Sequence, residues 1–366
     1  MEFSLFYFAN EQEADAGSTD RYGLLLDGAK FADTHGFTAV WTPERHFHEF
    51  GGIYPNPAVL GAAVAAVTER IGIRAGSVVA PLHHPVRIAE EWAVVDNLSG
   101  GRVGVSFASG WHPQDFALRP ENFADRKEKL ESTVADVREL WRGGELAVLD
   151  GAGEQQRVRS YPRPVQAELP VWITSSGGPE TFRAAGRAGA GLLTHLVGQS
   201  LEELADKVAL YREEYAAQSG DPQDRGHVVL MLHAYLHEDE EVARETVRAP
   251  LSAYLRSFAG LTMSSGPKGR KIDPATLSPR HFDAMVERSF ERYFEEGGLL
   301  GTVEKAAEVV ERVRKADVDE IACLIDFGVA REQVVAGFGL LDRLRAATAA
   351  VDGAPADRSP ALADAG

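Results

Sequence analysis

Val40–Asn56 reads VWTPERHFHEFGGIYPN. The apolar run Thr38–Trp41, set between Gly36 and Pro43, has the length and flanks of a buried strand. It stops abruptly in a charged cluster: Glu44, Arg45, His46, His48 and Glu49. In parallel α/β folds the carboxyl ends of strands hold the residues that bind and react. The stretch therefore predicts a parallel sheet with its chemistry at the strand ends.

Further strands of this kind recur along the chain. Apolar runs predict strands at Phe3–Phe8, Ile71–Val79, Arg102–Ala108, Val171–Thr174, Gly191–Thr194, Val228–Leu236 and Glu320–Phe327. Helical spacing falls between them at Arg21–His35, Pro57–Arg70, Pro85–Leu98, Asp125–Trp141, Pro179–Ala188, Ser200–Ala217 and Asp239–Leu255, and a last helix is expected from Arg331 to about Thr348. Ser200 and Glu203 form a capping-box pair. Eight strand–helix units predict a (β/α)8 barrel; the alternative is an open doubly wound sheet. No domain-scale linker interrupts the pattern, so residues 1–348 are expected to form one domain. Glu145–Pro170, rich in Gly, Pro and polar residues, predicts a surface hairpin. Gly260–Pro279, an insertion between strands seven and eight, is loop-like and a candidate lid, or else an excursion away from the mouth. Residues 349–366 carry no periodicity and are expected to be a disordered tail.

Composition sets limits on function. The 366 residues carry a net charge of -17, which argues against nucleic acid or an anionic membrane as the main partner. The single cysteine, Cys323, lies in the apolar run IACLI and excludes an intramolecular disulfide, as suits a reducing compartment. No secretion signal or membrane-spanning run is visible, and a cytoplasmic protein is expected.

In a barrel the residues after each strand converge on one mouth. Strand two supplies Glu44, Arg45, His46 and His48, and strand three Gly76 and Ser77, leading to His83 and His84. Strand four ends at Ala108 and runs into Ser109, Gly110, Trp111, His112 and Asp115. Strand five leads into Ser175, Ser176, Gly177 and Gly178, then Pro179, Glu180 and Thr181, and strand six ends at Thr194 and His195. The segment Thr174–Thr181, TSSGGPET, is a strand end, a Ser/Gly turn and a helix start, which offers backbone N–H groups and a positive helix end to a phosphate. The plain alternative is an ordinary strand-to-helix turn. No GxxxxGK[ST] or GxGxxG supports a P-loop or a nicotinamide site, and no GxSxG supports a hydrolase. The histidine spacings match no HExxH pattern, so no metal site is expected. Trp111 is either a rim residue or an aromatic wall for a flat ligand.

Taken in order, PERHFHEFG followed by NP, SVVAPLHHPVRIAEEWAVVDNLSGGR, VGVSFASGWHPQDF and PVWITSSGGPETFRAAG resemble the bacterial luciferase-like flavin monooxygenases. The resemblance runs from Phe3 to Phe327 and is nearest to the branch found with natural-product assembly lines. It implies a TIM barrel that takes FMNH2 from a separate flavin reductase and uses O2, through a C4a-peroxyflavin, to hydroxylate a substrate or insert oxygen in the Baeyer–Villiger manner. It also implies an acyl or aminoacyl substrate held on an acyl or peptidyl carrier protein. By motif, the Gly76–Ser77 peptide, often cis in the family, would lie behind the flavin ring. Ser77, Ala108, Ser109, Gly110 and Trp111 would surround the ring and ribityl chain. Ser175, Ser176, Gly177, Gly178 and Thr181 would hold the phosphate, and His195 would lie near the ring. Luciferases proper carry two histidines after the Glu, the first a general base; here the positions hold Arg45 and His46. Arginine is no base at ordinary pH. This argues against light emission from a long-chain aldehyde and leaves His46 as the acid/base candidate, with Arg45 available to an anionic substrate group or a peroxide. The alternatives are an F420-dependent hydride-transfer enzyme of the same fold and a non-catalytic flavin-binding subunit. The apolar helix Pro57–Arg70 predicts a homodimer or higher assembly.

Overall fold

The computed structural model describes residues 1–9, 20–264 and 278–352. Its strands are β1 (Glu2–Tyr7), β2 (Ala39–Thr42), β3 (Gly72–Val79), β4 (Val103–Ala108), β5 (Leu146–Leu149), β6 (Gln155–Val158), β7 (Val171–Thr174), β8 (Gly191–His195), β9 (Val228–Leu236), β10 (Leu299–Gly301) and β11 (Glu320–Asp326). Eight of them, all parallel, pair in the ring β1-β2-β3-β4-β7-β8-β9-β11, and β11 returns to β1. The ring is the closed (β/α)8 barrel expected from the sequence. β5 and β6 pair antiparallel as the surface hairpin. The helices are α1 (Gly23–Thr34), α2 (Pro57–Ala65), α3 (Pro85–Ser99), α4 (Arg126–Arg142), α5 (Pro179–Arg187), α6 (Leu201–Ser219), α7 (Glu240–Ser264), α8 (Pro279–Arg292), α9 (Val303–Lys315), α10 (Arg331–Ala336) and α11 (Phe338–Asp352). Among the described residues no helix is long and apolar enough to cross a membrane.

Local chemistry explains where the helices begin and end. Asn56 caps α2 by accepting from the N–H groups of Ala58 and Val59. α2 stops at Ala65, short of the expected Arg70, because the Asp33 carboxylate takes the N–H groups of Glu69, Arg70 and Ile71. The capping box of Ser200 and Glu203 opens α6 as its sequence predicts. Gly337 splits the expected last helix into α10 and α11, and α11 runs on to Asp352, so the expected tail boundary at 348 falls inside a helix. Of the candidate lid, Gly260–Ser264 continue α7 and Pro279 opens α8; residues 265–277 lie outside the described residues. α9 and β10 are additions. Thr302 before VEKAAEVVERV is a plain cap-and-stripe signal, with its side chain accepting from Lys305 N–H. The three residues of β10 are too few to carry one.

A charged pair sits inside the barrel near its amino end. Arg74 of β3 bonds Glu320, the first residue of β11, at 2.7 Å. Its guanidinium packs against two indoles that also touch each other, 5.0 Å from the Trp41 ring and 4.7 Å from that of Trp172. Ser4 and the Trp41 indole N–H, the latter at 3.0 Å, donate to the other carboxylate oxygen. The lower barrel is thereby filled with side chains.

Candidate active site

Glu44 is the hub of the mouth. It is buried, and one carboxylate oxygen meets both His46 Nε2 at 2.7 Å and His83 Nε2 at 2.6 Å. The other oxygen accepts the Val79 N–H at 2.7 Å. Burial alone would raise the Glu44 pKa, but the bonds from His46, His83 and Val79 outweigh it and hold the carboxyl below its usual range. Burial works the other way on His83, and there too the Glu44 bond and charge win, so His83 is raised. A carboxylate oxygen only accepts, so both histidines present Nε2–H to it. The basic atom left to His46 is Nδ1.

Arg45 points to the other side. It is 3% exposed, pairs through Nη1 with the buried Asp115, and lies 5.4 Å from the ring of Trp111. Trp111 is 41% exposed and forms a wall of the mouth. Phe258 of α7 stands between that wall and His195, with ring centroids 6.3 Å from Trp111 and 6.2 Å from His195. Burial pushes the His195 pKa down to about 4, and its Nδ1 accepts the Val197 N–H at 3.1 Å. His195 is thus a neutral ring whose free position is an Nε2–H donor, not a base. The Gln199 amide donates to the His195 carbonyl at 2.6 Å and carries the contacts on to the glycine turn.

That turn has the form of an anion cradle. Gly177 has φ +107°, a conformation open to glycine, and a Cβ there would stand 3.3 Å from the Gln199 side-chain oxygen. Gly178 is the N-cap of α5 and no side chain caps the helix. Ser176 is exposed and Thr181 half-buried. Two strands away in the ring, the Gly76–Ser77 peptide of β3 is cis. Ser77 meets Thr174, whose hydroxyl also lies 2.7 Å from that of Ser106. Ala108 ends β4, Ser109 and Gly110 follow it, and all three are half-buried. Gly110, at φ +73°, packs so closely on Phe116 that a Cβ would come within 2.8 Å of its ring. Arg126 holds this turn by donating to the Gly110 carbonyl at 3.2 Å.

Arg45, Trp111, His195 and the Ser176 turn therefore share one end of the barrel through a continuous line of contacts. The sequence places Glu44, His83 and Asp115 at strand ends but gives no signal that they pair. Tyr54 and Asp326 have no such signal either. Tyr54 donates its hydroxyl to Asp326, which burial pushes up to about 6 against the pull of that bond.

The donor set suits a phosphorylated flat cofactor: a Ser/Gly turn that leads into a helix start without a side-chain cap, and the Trp111 ring at the same end of the barrel. The sequence model of the luciferase-like monooxygenase family matches residues 1–336. The chain belongs to this family. It is thus an oxidoreductase, a flavin-dependent monooxygenase of the luciferase-like kind. The oxygenase component of a flavin-dependent trigonelline monooxygenase from Acinetobacter baylyi is 24% identical over 347 residues, 91% of each chain. An F420-dependent glucose-6-phosphate dehydrogenase from Amycolatopsis mediterranei is 31% identical over 249 residues, 64% of this chain and 73% of the relative. Among solved structures, monooxygenase RslO1 from Streptomyces bottropensis superposes with a TM-score of 0.80 at 24% identity, over 95% of this chain and all of that one. This likeness shows a shared barrel.

Proposed function

We propose that the protein is the oxygenase component of a two-component monooxygenase: FMNH2 arrives from a separate flavin reductase, O2 is consumed, and one oxygen atom passes to an organic substrate. The observation that carries the reading is the uncapped start of α5 beside Gly177, at the same mouth as Trp111 and His46. When bound, reduced flavin supplies the electrons that activate O2 for hydroxylation or Baeyer–Villiger insertion. Ser175, Ser176, Gly177, Gly178 and Thr181 would hold the phosphate. Ser77, Ala108, Ser109, Gly110 and Trp111 would flank the ring and ribityl chain, and Trp111 with Phe258 would exclude water from them. His195 donates from Nε2, and His46 moves a proton at Nδ1. An acyl or aminoacyl group on a carrier protein is the substrate form to be tried first, on the family branch noted from the sequence.

Anaerobic titrations with FMNH2, reduced riboflavin and reduced F420 test this. FMNH2 is expected to bind at least tenfold more tightly than either. Gly177→Val, which forces a side chain into the φ +107° turn, is expected to lower FMNH2 affinity about tenfold, a change of roughly 1.4 kcal/mol, and to leave riboflavin unchanged. The F420 relative supports a second reading, hydride transfer without oxygen. Tighter F420 binding with turnover in the absence of O2 would establish it instead.

The assembly proposed is a homodimer through the α2–α3 face. There Val59, Val94, Leu98, Tyr161 and Val165 are all exposed, an apolar patch of the kind that marks protein contacts. Light scattering at micromolar concentration is expected to give twice the 39.6 kDa chain mass. Val59→Glu with Val94→Glu should give the monomer; a monomeric wild type defeats the assignment.

A further inference from the structure

The Arg45–Asp115 pair leaves specific hydrogen-bonding atoms unused. Asp115 meets only Nη1 of the guanidinium. Among the described residues, Arg45 Nε and Nη2 are buried with no partner, and so is Asp115 Oδ1. Nε and Nη2 are the two parallel donors of the guanidinium's side edge, the fork that grips an oxygen acceptor. Both residues are at least nine-tenths buried, Arg45 at 3% and Asp115 at 5% exposed, so bulk water does not serve these atoms. A buried donor without an acceptor is costly, and a fork held in place by an ion pair and by the Trp111 ring is built to receive one.

The charge around the fork decides which acceptor fits. A lone buried arginine would call for an anion. Here Asp115 already neutralises Arg45, and the Glu44 carboxylate lies on the preceding residue, hydrogen-bonded to His46 and His83. An incoming carboxylate would add a net negative charge in a buried place beside two others. A neutral carbonyl oxygen accepts from the same two N–H groups without that cost. Asp115 Oδ1 remains to accept from an N–H or O–H next to that carbonyl.

We propose that the Arg45 fork, set by Asp115, is a substrate subsite for a neutral carbonyl group, an amide or ketone oxygen, and that it selects against carboxylates. This rests on the oxygenase reading above, and names the functional group next to which oxygen would be placed. It also revises the expectation that Arg45 meets an anionic group.

Benzamide and benzoate are matched probes: the same ring and size, neutral and anionic. Calorimetric titration of the intact wild-type protein is expected to show benzamide at least tenfold tighter than benzoate. Asp115→Asn frees the guanidinium charge and should raise benzoate affinity tenfold or more, erasing the preference. Arg45→Met should lose benzamide binding. Retention of FMNH2 affinity in both variants separates a failed subsite from a failed flavin site, and the probe titrations run with or without flavin. Benzoate preferred by the wild type, no measurable binding of either probe, binding that survives Arg45→Met, or displacement of benzamide by FMN would each overturn the assignment.

Discussion

Replacing His46 by Gln is expected to lower the rate of oxygen transfer by about 10²–10⁴-fold, the range a positioned general acid or base supplies. The reason is geometric. Glu44 fixes His46 through Nε2 at 2.7 Å, so the proton-accepting atom is Nδ1. The glutamine amide would keep a donor for Glu44 but offers no basic nitrogen. Flavin affinity should stay within threefold, since His46 lies outside the glycine turn assigned to the phosphate. The measurement is ¹⁸O incorporation from ¹⁸O2 into product, with peroxide release followed in parallel. A proton-transfer role predicts that O2 uptake continues while product falls and peroxide rises. Glu44→Gln should lie between the wild type and His46→Gln, because the amide oxygen can still accept from both imidazoles, but its NH2 would face the Val79 N–H and the charge that His83 faces is lost. Product formation in His46→Gln within threefold of wild type would remove His46 from the mechanism and favour a non-catalytic subunit.

The barrel was legible because parallel strands buried on both faces show as apolar runs, and most runs are soon stopped by a Pro, Gly or charged residue. Val40–Asn56 shows both features within one stretch. What the sequence could not convey was pairing at a distance. Glu44 is 39 residues from His83 and Arg45 is 70 from Asp115, and neither separation leaves a local pattern. Closing the ring creates those neighbours. The glycine turn was legible in both form and position, since its chemistry is local to Thr174–Thr181. Helix ends were legible where the cap lies in the same segment, as at Ser200. They were not where the terminator comes from elsewhere, as Asp33 ends α2 from another helix. The pairing of Arg45 needed structure as well: sequence shows a cation at a strand end, and only the fold supplies the carboxylate that faces it.

Arg74→Met is expected to destabilise the fold by about 3–5 kcal/mol, the cost of leaving a buried charge without its partner. Glu320 is fully buried, with Arg74 at 2.7 Å as its nearest counter-charge and His227 3.7 Å from the same oxygen. Burial alone would raise the Glu320 carboxyl; the charge of Arg74 leads the effects that hold it below its usual range. A carboxyl with a depressed folded-state pKa contributes stability above its unfolded value, about 4.5, and loses that contribution as pH falls through the folded value. With Arg74 gone the largest of the lowering effects is lost, leaving those of His227 and Ser4 against burial, and the carboxyl is expected to rise. The gap between wild type and variant should therefore be widest at pH 7 and close as pH approaches 4. Urea unfolding at both pH values reads this directly, with the slope unchanged if only stability has moved. Arg74→Met with Glu320→Gln should recover half or more of the loss. The amide oxygen can still accept from Ser4 and Trp41, the buried charge is absent, and methionine can pack against the two indoles as the arginine does. A loss below about 1 kcal/mol in Arg74→Met, the size of an exposed pair, would mean that water reaches Glu320 and that the amino end of the barrel is not sealed.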